Sequence, residues 1–273
     1  MSWYDKIFPP KKITLSDGRD VLEPRSRMPL IILLVVIAAW ISVEITGFDL
    51  AKLIKRGKYF FDILKQMVPP DTSYLPVIWE PLFDTIKMSL LGSIIGALVA
   101  VPVAILAASN IVKNRLILSI TRLFLSLVRT MPTLVIALIA TYILGLGTLA
   151  GTMAIAVFTF AYIGKLLYEQ IETVDMGAYE AMEAMGANKL RAFLAAIVPQ
   201  VLPSYIANCL FCFEGNVRYA SILGYVGAGG LGLILNEKIG WRQYSSVGMI
   251  LVTLFIAVML IEAISHYLRK KLT

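Results

Sequence analysis

Apolar residues run in long blocks along this chain and seldom alternate with polar ones. Six blocks approach the ~20 mostly apolar residues that a bilayer-crossing helix needs. They are about 28–46, 83–108, roughly 116–146, 148–168, about 200–224 and 245–267. The first reads MPLIILLVVIAAWISVEIT; six basic residues precede it and no Ala-x-Ala cleavage pattern follows, so a retained helix is predicted and not a signal peptide. The third is predicted to start as an interfacial helix before LVIALIATYIL, with Gly145, Gly147 and Gly151 breaking it from the fourth. Between the first two blocks, Leu50, Leu53, Ile54, Phe60, Phe61 and Leu64 recur at helical spacing among lysines. That pattern predicts an amphipathic helix over 49–68 on the outer surface, ended by PPDTSYLP.

Composition makes lipid the solvent. The chain is 58% hydrophobic and 16% charged, with a mean hydropathy of +0.78. A soluble domain carries roughly 25% charged residues, and one of this length could not hide so much apolar surface in a single core. The fold class is therefore all-α: a polytopic membrane protein of about six transmembrane helices. Residues 1–27 read as a cytoplasmic N-terminal tail, 28–82 as the first transmembrane helix plus the outer amphipathic helix, and 83–273 as the main transmembrane domain. The net charge of +7 is explained by Lys- and Arg-rich cytoplasmic loops, without nucleic acid as a partner. With the N-terminus inside, fourteen basic residues fall on the cytoplasmic side and seven outside, five of those in 49–68. Both termini are accordingly predicted to be cytoplasmic. Cys209 and Cys212 form a CxxC inside an apolar run, far from the single His266, and read as packing residues and not metal ligands. No G-x-x-x-x-G-K-[ST] occurs, so the chain has no P-loop of its own.

One polar stretch breaks the apolar theme: EAMEAMGANKLRAFLAAIVPQVLP, residues 180–203. Ala, Met, Glu, Lys and Leu predict a helix over 178–191, capped by Asp175 or Thr173, with Glu180 and Glu183 near its positive end. Ala178, Ala181 and Met185 share a face whose small residues admit close approach by another protein. Gly186 permits a turn or close contact, and Pro199 and Pro203 mark the change of direction into the fifth span. On pattern alone, a docking helix and a plain interfacial loop helix are both open. The stretch resembles the cytoplasmic loop of binding-protein-dependent ABC importer permeases, Glu-Ala-Ala, three residues, Gly, then Ile-x-Leu-Pro. Glu180, Ala181 and Gly186 match, and Pro199 falls thirteen residues after Gly186. Met182 replaces the second Ala, Val198 stands where Leu is usual, and Ile197 is one place late. The resemblance implies a type I ABC importer permease fold. It makes 178–191 a coupling helix that docks into a separate ATPase through Glu180, Ala181, Met185, Gly186 and Ala187. ATP and Mg would then be bound by that partner, with no cofactor in this chain.

Residues 199–232 are similar to the phosphonate-importer branch: Phe213, Glu214, Asn216, Val217 and Arg218 match its Arg-Phe-Glu-x-Asn-Val-Arg, with Cys212 for the leading Arg. Gly227, Gly229, Gly230 and Gly232 match its Val-Gly-Ala-Gly-Gly-Ile-Gly, with Leu231 for Ile. Glu214 and Arg218 are four apart and share a helix face. Two readings are open for them: a structural ion pair, or a charged element of the translocation path, where an Arg fork suits phosph(on)ate oxygens. GAGGLG follows a span and not a strand, so it is no dinucleotide fingerprint; its glycines are expected to shape a tight outer or re-entrant turn. Arg115, Ser119, Arg122, Ser126, Arg129 and Thr133 form a polar stripe, open to an anion-path reading and to arginines snorkelling at an interface. Arg129 before Met-Pro also fits the wider permease family and suggests a place near the cytoplasmic gate.

The expectation is a multi-pass permease of the bacterial inner membrane, not an enzyme, surrounded by lipid. Glu214, Asn216, Arg218 and Arg129 are its candidate pathway or gate residues. The implied partners are ABC ATPase subunits, an extracytoplasmic binding protein and a second copy of the chain. The implied cargo is phosphonate, phosphite or a phosphate ester, with methionine or another small solute as the alternative. An intramembrane enzyme or a channel is the remote rival; an enzyme would need clustered acid, base or nucleophile groups that the spans lack.

Overall fold

The computed structural model describes residues 12–14, 20–22 and 28–272. The chain divides into two units, 1–62 and 63–273. In the first, β1 (Lys12–Thr14) pairs antiparallel with β2 (Asp20–Leu22), a short ladder within what the sequence suggests is a plain tail. The rest of that tail lies outside the described residues. Helix α1 (Met28–Thr46) has the expected bounds and buries none of its residues. A helix apolar all round is stable only against protein or lipid. Helix α2 (Leu50–Gln66) presents its Leu, Ile and Phe stripe on one face and runs past the division at residue 62.

The second unit is a helix bundle. A 3₁₀ turn (Thr72–Tyr74), capped by the Asp71 carboxylate on the Ser73 N–H at 3.1 Å, leads directly into α3 (Leu75–Ala107). The expected start at 83 is wrong. Pro76 lies in the first turn, where a missing N–H costs nothing, so proline starts this helix as well as ending the previous one. Helix α3 therefore passes unbroken through 82–83. The third block is two helices, α4 (Arg115–Thr130) and α5 (Thr133–Leu144), which meet at 87°. Pro132 removes a donor and holds Met131 extended, at ψ 124°. Next come α6 (Thr148–Glu172), α7 (Gly177–Ala184) and α8 (Lys189–Ala192), then a π turn (Phe193–Ile197) running straight into α9 (Val198–Leu223). A 3₁₀ turn (Gly224–Val226), α10 (Leu231–Gly240) and α11 (Tyr244–Leu272) complete the unit.

The bundle is held along a seam of small residues between α3 and α6. A Cβ on Gly92 would lie 2.8 Å from both Ile155 Cγ2 and the Thr152 carbonyl oxygen, and one on Gly96 would run into the Ala156 carbonyl. Lipid tails are as apolar as leucine, so helices in a bilayer associate through such close packing and through polar ties. Asn216 supplies the ties: its side-chain amide donates to Ser93 Oγ on α3 at 2.8 Å and to Thr159 Oγ1 on α6 at 2.9 Å, joining three helices. Cys212, one turn below, is buried with Ala97, Ala100 and Ile163.

Candidate functional site

The polar loop follows α6. Thr173 donates its hydroxyl back to the Gln170 carbonyl at 3.0 Å, while Asp175 Oδ1 accepts the Gly177 N–H at 2.9 Å and so starts α7. The helix does not continue over 178–191 as the composition suggests. It stops at Ala184, and Gly186 turns the chain at φ +85°, where a side chain is strained. Nothing lies within 4 Å of where its Cβ would be, so the turn requires the glycine and packing does not. Asn188 Oδ1 then accepts the Arg191 N–H at 2.8 Å and restarts the helix. The change of direction is therefore at 186–188 and not at Pro199 or Pro203, which lie inside a helix continuous from Lys189.

Tyr179 and Met182 turn inward onto Leu167, Ile171, Ala192 and Ile197. This leaves Glu180, Ala181, Met185 and Gly186 exposed, with Ala187 half-buried. Met185 is 79% exposed and is followed by exposed Leu190 and Leu194. An apolar shelf flanked by charge is the usual form of a protein-binding patch.

A brace ties the end of α6, below this loop, to its neighbours. Arg122 donates Nε to the Ala107 carbonyl at 2.9 Å, pairs with Glu172 and lies over the Tyr168 ring at 5.0 Å. Glu172 also accepts from the backbone N–H of Ser109 at 2.7 Å and from its hydroxyl. Asn110 donates to the Ile171 carbonyl at 2.6 Å. Glu172, Ser109 and Asn110 are absent from the sequence expectation. Their one signal is Arg122, which shares its face of α4 with Leu118, Leu125 and Val128. Of the polar stripe, Arg122 alone turns inward; Arg115, Ser119, Ser126 and Arg129 are exposed, and Thr133 lies beyond the bend.

The FEGNVR segment lies in α9. Glu214 is only 4% exposed. Its Oε1 is 2.9 Å from an Arg218 nitrogen and its Oε2 is 3.6 Å from one of Arg269, in the last turn of α11. Arg218 lines a cavity of about 380 Å³ with Phe158, Tyr162, Phe211 and Tyr219. Phe158 stacks on Tyr162 and meets Tyr219 edge-on, at ring separations of 5.9 and 6.1 Å. The structure thus brings Glu214 and Arg218 together; Asn216 lines the same cavity but its amide nitrogen is spent on Ser93 and Thr159. Arg129, in the last turn of α4, has no hydrogen bond or ion pair among the described residues.

The glycine motif closes the opposite end of α9. Gly147 donates its N–H to the Gly227 carbonyl at 2.9 Å, and a Cβ on Gly229 would lie 2.8 Å from the Thr148 nitrogen. The turn before α6 thus packs backbone to backbone on the 227–230 turn. Thr85 on α3 accepts the buried Leu231 N–H at 2.7 Å, and Gly232 abuts Gly224 and the Ser221 carbonyl. Beside it is an open polar cavity of about 560 Å³, lined by Asp71, Tyr74, Lys238 and Arg242 among others. Lys238 donates to Gln243 at 2.8 Å and lies over the Tyr74 ring at 4.8 Å; Trp241 next to it is 73% exposed. Hydrogen bonds from Ser73, and more weakly from Ser246, hold the Asp71 carboxyl below the usual carboxylate range, against an opposing pull from partial desolvation.

Comparison with known proteins agrees with this architecture. The family model for the binding-protein-dependent transport system inner membrane component matches residues 100–273. A phosphate-import permease of Mycolicibacterium smegmatis is 33% identical over 211 residues, 77% of this chain but 40% of that longer protein. A phosphite transport system permease of Stutzerimonas stutzeri is 34% identical over 205 residues, 75% of this chain and 74% of the relative. Among solved structures, the methionine ABC transporter in an inward-facing conformation matches with a TM-score of 0.67 at 22% identity, over 74% of this chain and 99% of that one. The fold is thus that of a type I ABC importer permease, and the chain belongs to the family of binding-protein-dependent transport system inner membrane components.

Proposed function

We propose that this chain forms the membrane pathway of an ATP-driven importer for a phosphorus oxyanion: phosphonate, phosphite or a phosphate ester. The carrying observation is the exposed loop 177–187. A short helix buries Tyr179 against the bundle and leaves Glu180, Ala181, Met185 and Gly186 outward, the form a socket for a separate motor would take. ATP and Mg belong to that motor. The brace Arg122–Glu172–Ser109 connects the loop's root to α3 and α4, so a push on the loop reaches the bundle through ionic and backbone bonds. Two copies of the chain are expected to share one pathway, with Glu214, Arg218, Asn216 and Arg129 as its polar elements. The end of the bundle that carries Trp241, Lys238 and Arg242 is expected to face outward and receive the binding protein; both termini are then cytoplasmic. The substrate class rests on the relatives, which are named for phosphate and phosphite, and on the FEGNVR and glycine motifs.

Growth tests this reading. A strain lacking the gene and any redundant importer is grown on phosphite or methylphosphonate as sole phosphorus source, with inorganic phosphate at high concentration as control. Loss of growth on the first two only, restored by the wild-type gene and not by Gly186→Asp, is expected. Equal growth on all three would refute phosphite and phosphonate as cargo and leave a phosphate ester, methionine or another small solute.

A further inference from the structure

Glu214 is an ionisable group buried in a helix that otherwise reads as a membrane span, a costly placement unless it is paired. It is paired twice, and the two arginines differ. Arg269 approaches from α11, 27% exposed, with its guanidinium 5.9 Å from the Phe211 ring centre. Arg218 is 49% exposed and gives Glu214 one nitrogen at 2.9 Å. Its Nε and other terminal nitrogen make no hydrogen bond among the described residues, and the residue lines a cavity together with Phe158, Tyr162, Phe211 and Tyr219. A lock between helices would join different helices and use the fork on both carboxylate oxygens, because that geometry is the strong one. Here the Arg218 bond is within α9 and single, and most of the fork is left for something else.

We propose that Glu214 is a resident counter-anion which the transported oxyanion displaces from Arg218. In the empty pathway the carboxylate neutralises Arg218. An entering phosphorus oxyanion takes the fork, whose planar donors match two of its oxygens, and Arg269 retains the displaced carboxylate. The carboxylate, a like charge beside the bound anion, then competes to return and speeds release. A neutral or cationic solute has nothing to exchange, so the same pair sorts by charge. Glu214 acts here as a positioning residue and Arg218 as the binding one. The inference rests on the oxyanion-importer reading.

The test uses the assembled permease–ATPase complex. Phosphite binding is measured in detergent without binding protein; import of phosphite and basal ATP hydrolysis are measured in proteoliposomes with it. Arg218→Gln is expected to lose roughly ten- to hundredfold in both affinity and import, as for one charge-assisted bond. Glu214→Gln is expected to bind phosphite several-fold more tightly yet import it more slowly, since the competitor is gone. Glu214→Asp, which draws the charge one methylene back from Arg218, should shift both quantities the same way if the Gln variant fails to assemble. The double variant Glu214→Gln with Arg218→Gln should stay as poor as Arg218→Gln. Restoration of wild-type import by the double variant would mean a packing lock and overturn the inference alone. So would unchanged phosphite affinity in both Glu214 variants. Wild-type complex that imports none of phosphite, methylphosphonate and a phosphate monoester would overturn the oxyanion reading and this inference with it.

Discussion

Gly96→Ala is the most direct probe of how the bundle holds together. The new methyl would be 2.7 Å from Thr159 Cβ and 2.9 Å from the Phe160 nitrogen, and would overlap the Ala156 carbonyl oxygen. Backbone on both sides leaves no flexible side chain to yield, so α3 and α6 must part by roughly 1 Å to restore ordinary contact distances. A gap of that size forfeits about a quarter to a half of the attraction at each pair along the seam. It also stretches the Asn216–Ser93 bond, now 2.8 Å, and the Tyr205–Ala97 bond, now 3.0 Å. Overpacking costs about 1–3 kcal/mol, and the better helix propensity of alanine returns at most about 1. The net expectation is a loss of about 1–2 kcal/mol, read as an earlier midpoint in titration of dodecyl-maltoside micelles with SDS, followed by circular dichroism. Gly215→Ala is the control: nothing lies within 4 Å of its Cβ position in the same bundle, so the propensity gain stands alone. A Gly96→Ala midpoint equal to or later than that of Gly215→Ala would refute the close-packed seam.

Thr85→Val keeps the shape but leaves the buried Leu231 N–H without its acceptor, so a loss of about 1–3 kcal/mol is expected in the same titration; an unchanged midpoint would contradict it. Glu172→Gln removes the charge that Arg122 and Ser109 share. Both ionic side chains are partly exposed, so about 1–2 kcal/mol is expected, with hydrogen exchange rising at the end of α6 first; protection there as in wild type would argue against the brace. The Asp71 carboxyl is lowered on folding, so its contribution to the start of α3 is present above the ordinary carboxylate range and is lost as pH falls through the lowered value. Exchange at Ser73 N–H, corrected for the intrinsic pH trend, should therefore speed up on acidification in wild type and be fast at all pH values in Asp71→Ala; no difference between the two would contradict the cap.

What was legible in the residues followed from how local the signal is. An uninterrupted apolar block gave α1 its bounds, and Gly186 announced its turn because few other residues take φ +85°. Proline misled twice, since it serves both ends of a helix: Pro76 begins α3 where an end was expected, and Pro199 and Pro203 sit inside a helix that was expected to begin there. Hydropathy sums over a window and carries no direction, so the third block shows its amphipathic, interfacial start but not the 87° angle or its place at Met131–Pro132. The ionic partners were the least legible. Arg269 reads as one more basic residue after the last span, yet it closes on Glu214, and Glu172 reads as a polar helix end, yet it gathers Ser109 and Arg122. Both depend on which helices cross, and one chain's pattern does not state that.

The central claim is that loop 177–187 passes the work of a separate ATPase to this bundle. Its most direct measurement is ATP hydrolysis by the complex in proteoliposomes, with and without phosphite-loaded binding protein, for wild type and Gly186→Asp. The expected result is hydrolysis stimulated by loaded binding protein in wild type and unstimulated in the variant, with equal insertion of both in the membrane. Undiminished stimulation in Gly186→Asp would contradict the account.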